Sequence, residues 1–452
     1  MHIVPKTTLS AVALGLVVLA IQTSQAAAPG QALSEQRSVA AFSAIELSGP
    51  YEVAIDTQGR SGVSLRGARA QLDEIETFVR GDTLVVRPKP ARGLRLHFSE
   101  RRENVVIHIG APHLKSLSMS GSGDTTVGQV SGERFALNLD GPGDLEVSGA
   151  VRDLALRVSG SGDADLRALR ASNVTLAMSG PGDVWLANID GALEARSSGS
   201  GDLEAHALHL ARLDARLSGP GDMLLRGATG DVHAEVTGSG SLDACELAAG
   251  RALTLQSGPG DVCLGGAIAQ LDAEIGGSGN LIAHGLQAQA ASVRLHGPGD
   301  ARLGGQVAVL KAQLTGSGDI DGAALAVGIA TLTTRGPGDV RLATISDTLE
   351  AELRGAGGLT SAIHGKRLVL TSEGPGSAAI SGQVEMVYAR LSGAGALDGR
   401  RLEADRADIA VSGPGSARVH VAQRAGAQAK ASPERARGLL VVNRNGRSHG
   451  PE

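Results

Sequence analysis

The sequence predicts an all-β protein, a parallel β-helix (β-solenoid) of Gly-Ser/Pro-Gly-Asp repeats, on three observations. Gly-X-Gly occurs sixteen times between residues 121 and 415, and X alternates without a break between a small residue and proline. The apolar residues between these triplets alternate with period two. The chain is 42% hydrophobic but only 2% aromatic, so its core must be laid down in thin layers of Leu, Ala, Val and Ile. Recurrence at about twenty residues marks one supersecondary unit stacked on the next.

Composition excludes other classes. The 64 glycines follow no Gly-X-Y period, which rules out collagen, and the apolar content is too high for a disordered chain. A net charge of −5 from interspersed acids and bases leaves no basic stripe for nucleic acid.

Residues 1–28 read as a signal peptide. Lys6 supplies the positive start, residues 9–21 the apolar run, and Ser24-Gln25-Ala26 or Ala26-Ala27-Ala28 the small-residue cleavage site. Thirteen apolar residues are short for a bilayer that wants about 20. No Cys follows the run, which argues against a lipoprotein, and no later segment reads as a membrane span. The expectation is an exported bacterial protein, periplasmic, cell-surface or secreted, with no membrane span after cleavage.

Residues 37–117 carry strands without the tetrad, such as Tyr51-Val53-Ile55 and Leu84-Val85-Val86, and fit an N-terminal β-rich cap. Within them Gln71 to Arg80 suits a short helix or another strand. Residues 118–422 form the repeat array. Residues 423–452 read as linker and mostly disordered tail, with a last strand at 438–442.

Within the array, positions −2, −4 and −6 before each tetrad are apolar or small, as in Val158, Leu156 and Leu154, and the alternation resumes after it, as in Leu145 and Val147. Each half-repeat is therefore strand, glycine corner, strand, looser corner. The segment Leu253 to Ser257 is shifted by one residue, which reads as a bulge. Glycine suits a corner needing positive φ or close backbone approach, and Pro between glycines fixes φ and removes a donor.

A proline tetrad follows a small-residue tetrad by 20 residues and precedes the next by 19, with one slip where Gly355 to Gly374 is 19. The repeat is thus 39 residues in two halves. A 39-residue turn would stack Pro on Pro, whereas a 20-residue turn sets a residue without N–H against one with it at every rung. The alternation favours 39, giving an array roughly 40 Å long rather than nearly 80 Å at ~4.8 Å per rung.

Asp follows ten of the sixteen triplets. Its carboxylate can accept nearby backbone N–H groups as in an Asx turn. The rival reading makes Asp124, Asp144, Asp163, Asp183, Asp202 and Asp222 calcium candidates, but the toxin-type Gly-Gly-X-Gly-X-Asp repeat has a nine-residue period, and the last four repeats replace the acid. Cys245 and Cys263, the two cysteines, lie seven and five residues after their tetrads. That difference argues against a disulfide, and two thiols are few for zinc. Trp185 is the weak candidate for stacking on a sugar or an aromatic partner.

One family unites these features. Phe42-X-X-Ile45, the Leu84-Val85-Val86 strand, the run Val105 to Ile109 ending at Ala111-Pro112, and Leu117-Ser118-Met119-Ser120-Gly121-Ser122-Gly123-Asp124 resemble the auto-transporter adhesin, head GIN domain family, from residue 40 to about 420. The resemblance implies a bacterial envelope protein with a parallel β-helix and offers no catalytic residue to carry over. This array is longer than usual for the family, and no C-terminal run of alternating ten-residue barrel strands is present.

Polysaccharide-cleaving enzymes also use β-helices, but their sites cluster carboxylates, cations and His on one face, breaking the repeat. Here the acids recur periodically; His206 and His209, near Glu204, are the nearest histidine pair. The reading is an exported, non-catalytic envelope module for structure, adhesion or ligand binding, without cofactor, with cell-wall glycan or an envelope protein as partner. A polysaccharide-active enzyme and a calcium-binding repeat protein are the alternatives.

Overall fold

The computed structural model describes residues 33–90, 105–423 and 436–442. Residues 1–28, expected to be a signal peptide, and most of the tail lie outside the described residues. The structure is 70% strand and 1% helix, a parallel β-solenoid of about 15 turns.

The cap comprises β1 (Leu33–Arg37), β2 (Ala44–Leu47), β3 (Glu52–Asp56), β4 (Gly62–Gly67), the helical turn α1 (Arg69–Leu72), β5 (Ile75–Arg80), β6 (Thr83–Pro88), β7 (Val106–Gly110) and β8 (Ser116–Met119). The segment from Gln71 therefore holds both the end of a helical turn and a strand. β1 and β7 run antiparallel to β4, and β5 runs antiparallel to β6. The Arg37 guanidinium pins β1 by donating to the Leu72 and Ile75 carbonyls and Thr77 Oγ1, each at 2.8 Å. β2 and β3 belong to the stack itself. β2 pairs in parallel with β8, and β3 with β9 (Thr125–Leu139). Between them Ser48-Gly49-Pro50-Tyr51 is a degenerate proline corner, with Gly49 at φ +106° and its carbonyl accepting the Ser122 N–H at 3.1 Å. Tyr51 in place of the second glycine hides this corner from the Gly-X-Gly pattern.

Above the cap come β9, β10 (Leu145–Val158) and β11 (Ala164–Met178), followed by further strands of the same kind. Thr125, Leu145, Ala164 and Val184 stand above one another, at steps of 20, 19 and 20 residues. One coil thus takes 19 or 20 residues, not the 39 that the alternation favoured. The hydrogen bonds explain why proline and serine interleave freely. Gly143 N–H donates to the Gly121 carbonyl at 3.2 Å, Gly162 to Gly141 at 3.1 Å, and Gly182 to Gly160 at 3.3 Å. This ladder joins the second glycine of each corner to the first glycine below it, so a proline between them gives up no bond. The extra residue of the 20-residue step lies in the strand: β9 and β11 have 15 residues, β10 has 14. The slip after Gly355 coincides with a 14-residue strand, Leu359–Ser372, where the same phase carries 15 in the coils before it.

A straight strand of 15 residues would run about 50 Å, so each one bends, at the breaks in its alternation. The corner glycines answer to close approach rather than to positive φ. A Cβ on Gly160 would run into the Gly141 carbonyl oxygen, and one on Gly162 into that of Gly143, and the pattern repeats up the array.

The core is a set of aliphatic columns running the length of the stack, one layer per coil. Leu154, Leu156 and Val158 lie directly against Val174, Leu176 and Met178, and all six are buried. The segment from Leu253 departs from the bulge expected there. Its register with the coil below is unbroken, Val232 to Ala252 through Val236 to Gln256, so Thr254 and Gln256 point inward while Leu253 and Leu255 face out, half-exposed. Parallel pairing on both edges fixes the register more strongly than two misplaced leucines can shift it. Gln256 Nε2 donates to the Gly260 carbonyl, but its Oε1 and the Thr254 hydroxyl are buried without partners, an arrangement that costs about 1–3 kcal/mol per group.

Candidate binding face and corner ladder

The six aspartates Asp124 to Asp222 stand in one column, one per coil. Each Oδ1 accepts the backbone N–H of the matching residue one coil up: Asp144 N–H on Asp124 at 3.1 Å, Asp163 on Asp144 at 2.9 Å, and Asp222 on Asp202 at 2.8 Å. The ladder continues where the residue type changes, with Asp300 N–H on Asn280 Oδ1 at 3.1 Å and Ala396 N–H on Ser377 Oγ at 3.2 Å. The neighbouring amides bond to backbone carbonyls, Gly221 to Gly199 and Met223 to Ser241, so the carboxylate serves a corner amide that the backbone ladder passes over. One oxygen of each carboxylate is thereby engaged. Among the described residues, the group of three or more ligating side chains whose donor atoms converge within 4.8 Å is Cys245, Cys263 and His284, away from this column.

Trp185 faces outward, half-buried, between Asp165 below and Glu204 above. The Arg167 guanidinium lies over its ring, 5.9 Å from the centroid, while Arg167 Nε also donates to Asp165 Oδ1 at 3.0 Å. That hydrogen bond holds the Asp165 carboxyl below its ordinary range and raises Arg167. His206 and His209 do not converge. The bend at Ala207, φ +51°, separates them, so that His206 Nε2 lies 2.6 Å from Glu204 Oε1 and His209 Nδ1 4.0 Å from Asp190.

Cys245 and Cys263 form a disulfide with Cα atoms 5.2 Å apart, contrary to the expectation of free thiols. The short coil is the reason. Cys263 stands directly above Asp243, so Cys245 is two residues along the coil below, on the same outward side and within the span a disulfide needs.

A further surface is the outward side of the strand run ending at each corner. Seven residues there span about 23 Å, and the outward columns repeat once per coil, with charges paired along and across rungs. Arg216 meets Asp214 at 2.8 Å and Glu235 at 3.2 Å, Arg294 meets Asp272 at 2.9 Å and Glu274 at 3.3 Å, and Arg390 meets Asp408 at 2.8 Å. Where the balance of proton forms is displaced among the described groups, carboxylates are pushed down and arginines up. Asp153 is lowered first by its hydrogen bond from Asn173, Asp347 by that from Lys366, and Asp398 to about 2 by that from Arg400. These are ionised, paired groups; a general acid would need its pKa raised.

The family model described as "Putative auto-transporter adhesin, head GIN domain" matches residues 41–189, 186–285, 265–362 and 343–434. The chain belongs to this family. A "putative adhesin" from Bacteroides fragilis shares 20% identity over 50% of this chain and 97% of that one, with a TM-score of 0.38. A "putative lipid binding protein" from Parabacteroides distasonis shares 13% over 84% and 97%, at 0.22, and a "putative adhesin" from the same species 13% over 84% and 98%, at 0.26. No curated protein matches. Among the described residues no helix is long and apolar enough to cross a membrane.

Proposed function

We propose that this GIN-domain protein is an exported, non-catalytic rod of the bacterial envelope that adheres through its long charged face. The supporting observation is the recurrence of paired charges on one outward side, Arg216 with Asp214 and Glu235, Arg294 with Asp272 and Glu274, interrupted at Leu253 and Leu255. Such a face offers many weak, equivalent contacts at a spacing of ~4.8 Å, and suits an extended repetitive partner such as cell-wall glycan or the surface of an envelope protein. Membership of an adhesin-described family favours the same reading.

Retention on immobilised envelope polysaccharides, with turnover of the same polymers assayed in parallel, tests it. Reversing Arg216, Arg294 and Arg390 together to Glu is expected to abolish retention, while Arg390→Glu alone, at an exposed pair, weakens it about two- to fivefold. Release of reducing ends that vanishes on changing one acid would establish the enzyme instead. A melting temperature raised by calcium and lost in Asp202→Asn would establish the calcium-binding repeat.

A further inference from the structure

The coil that carries Cys263 is interrupted. Its strand stops at Leu264 and restarts at Ile268, and the gap is filled by Gly265, Gly266 at φ +80° and Ala267, with Gly285 at φ +69° on the coil above. This irregularity coincides with the convergence of three ligating side chains from three successive coils: Cys245, Cys263 and His284. Their donor atoms all lie within 4.8 Å of one another, with His284 Nδ1 3.9 Å from Cys263 Sγ. A Cβ on Gly265 would strike both the Cys245 carbonyl oxygen and, at 2.8 Å, His284 Cε1, so glycine there leaves room for the imidazole to fold down onto the sulfurs. The cysteines are half-buried and His284 is exposed, which keeps the trio reachable. A count of thiols alone misses the site, because its third ligand comes from a coil further up.

We propose that Cys245, Cys263 and His284 form a redox-gated site for a thiophilic d10 cation, Zn(II), closed as the disulfide and opened by reduction. A dithiol reductant supplies two electrons and two protons; the S–S bond becomes two thiols and the reductant departs as its own disulfide. Zn(II) then displaces both thiol protons to solvent, and His284 ligates as neutral imidazole through Nδ1. Two thiolates and one imidazole leave a fourth position open, the donor set and vacancy of a reactive rather than a purely structural zinc site. The disulfide sulfurs lack the anionic charge that Zn(II) requires of its sulfur ligands.

The test uses the full chain, reduced anaerobically with a phosphine that is then removed, and titrated with Zn(II) against a chromophoric chelator. One equivalent is expected to bind the reduced chain, with Co(II) giving a thiolate charge-transfer band, while the disulfide form shows neither. His284→Ala, at an exposed position, should keep its far-ultraviolet spectrum and bind Zn(II) at least roughly tenfold more weakly. Equal affinity in both redox forms, parental affinity in His284→Ala, no thiol released by the phosphine, or loss of β-structure on reduction would each overturn the proposal.

Discussion

Asp202 shows what one repeated side chain does. Its Oδ1 takes the Asp222 N–H at 2.8 Å while its own N–H rests on Asp183 at the same distance. Replacing it by Ala leaves that amide to water and should lower unfolding stability by about 1–2 kcal/mol. Asp202→Asn should cost much less, because Asn280 already performs the same task for Asp300 at 3.1 Å. Equal losses for the two variants in chemical denaturation would show that the charge, not the acceptor, matters. The Asx-type role was legible from an Asp at a fixed offset after glycine; its partner was not. Local reasoning looks along the chain for the donor, whereas the donor sits one coil up, and only the coil length says which residue that is. The same missing number concealed the disulfide: with a 39-residue turn Cys245 and Cys263 face apart, and with 20 they are diagonal neighbours.

Single strands and their ends bring a different balance. Asp398 and Arg400 sit two apart on one strand, joined from Arg400 Nε to Asp398 Oδ1 at 2.9 Å, and this holds Asp398 near 2 against an ordinary value of 3.8. A carboxylate with a depressed folded pKa adds stability that is complete above its unfolded pKa and is lost as pH falls through the folded one. The contribution should therefore disappear between about pH 4 and pH 2, and it should be small for a pair this exposed. Arg400→Gln should flatten that part of the stability profile; an unchanged slope would remove the pair from the account. At the top of the stack, Ala436–Val442 lies antiparallel on Ser416–Gln423, covering the outer edge of the last coil. Uncovered edges pair with other chains. A chain ending at residue 423 should therefore show concentration-dependent association by light scattering beyond that of the full chain, and identical behaviour would show that the edge is blunted by other means. The strand at 438–442 could be read from its apolar run, but its reversal of direction could not, since it depends on what it covers.

At the scale of the whole molecule, coil length decides shape. Periodicity exposes the repeat but is silent on how many repeats close one turn, and the chemical contrast of Pro with Ser pointed to the longer turn. The contrast proved neutral because the corner ladder runs from glycine to glycine. About 15 coils at ~4.8 Å each make a stack roughly 70 Å long, with one face about 23 Å across. A chain of the same mass wound in 39-residue coils would be roughly 40 Å long and correspondingly thicker. Small-angle scattering separates the two without any ligand: the expected curve has a rod-like intermediate region, a maximum dimension of at least about 70 Å, and a narrow cross-section. Because each coil touches only its neighbours, stability should also be nearly additive along the rod. Disrupting one central corner, as Gly221→Val would by driving a side chain into the Gly201 carbonyl oxygen, should raise amide exchange in the coils beside it and leave distant coils protected. Uniform deprotection along the chain, or a compact scattering profile, would show that the stack behaves as a single cooperative globule and would remove the basis for a long, repetitive binding face.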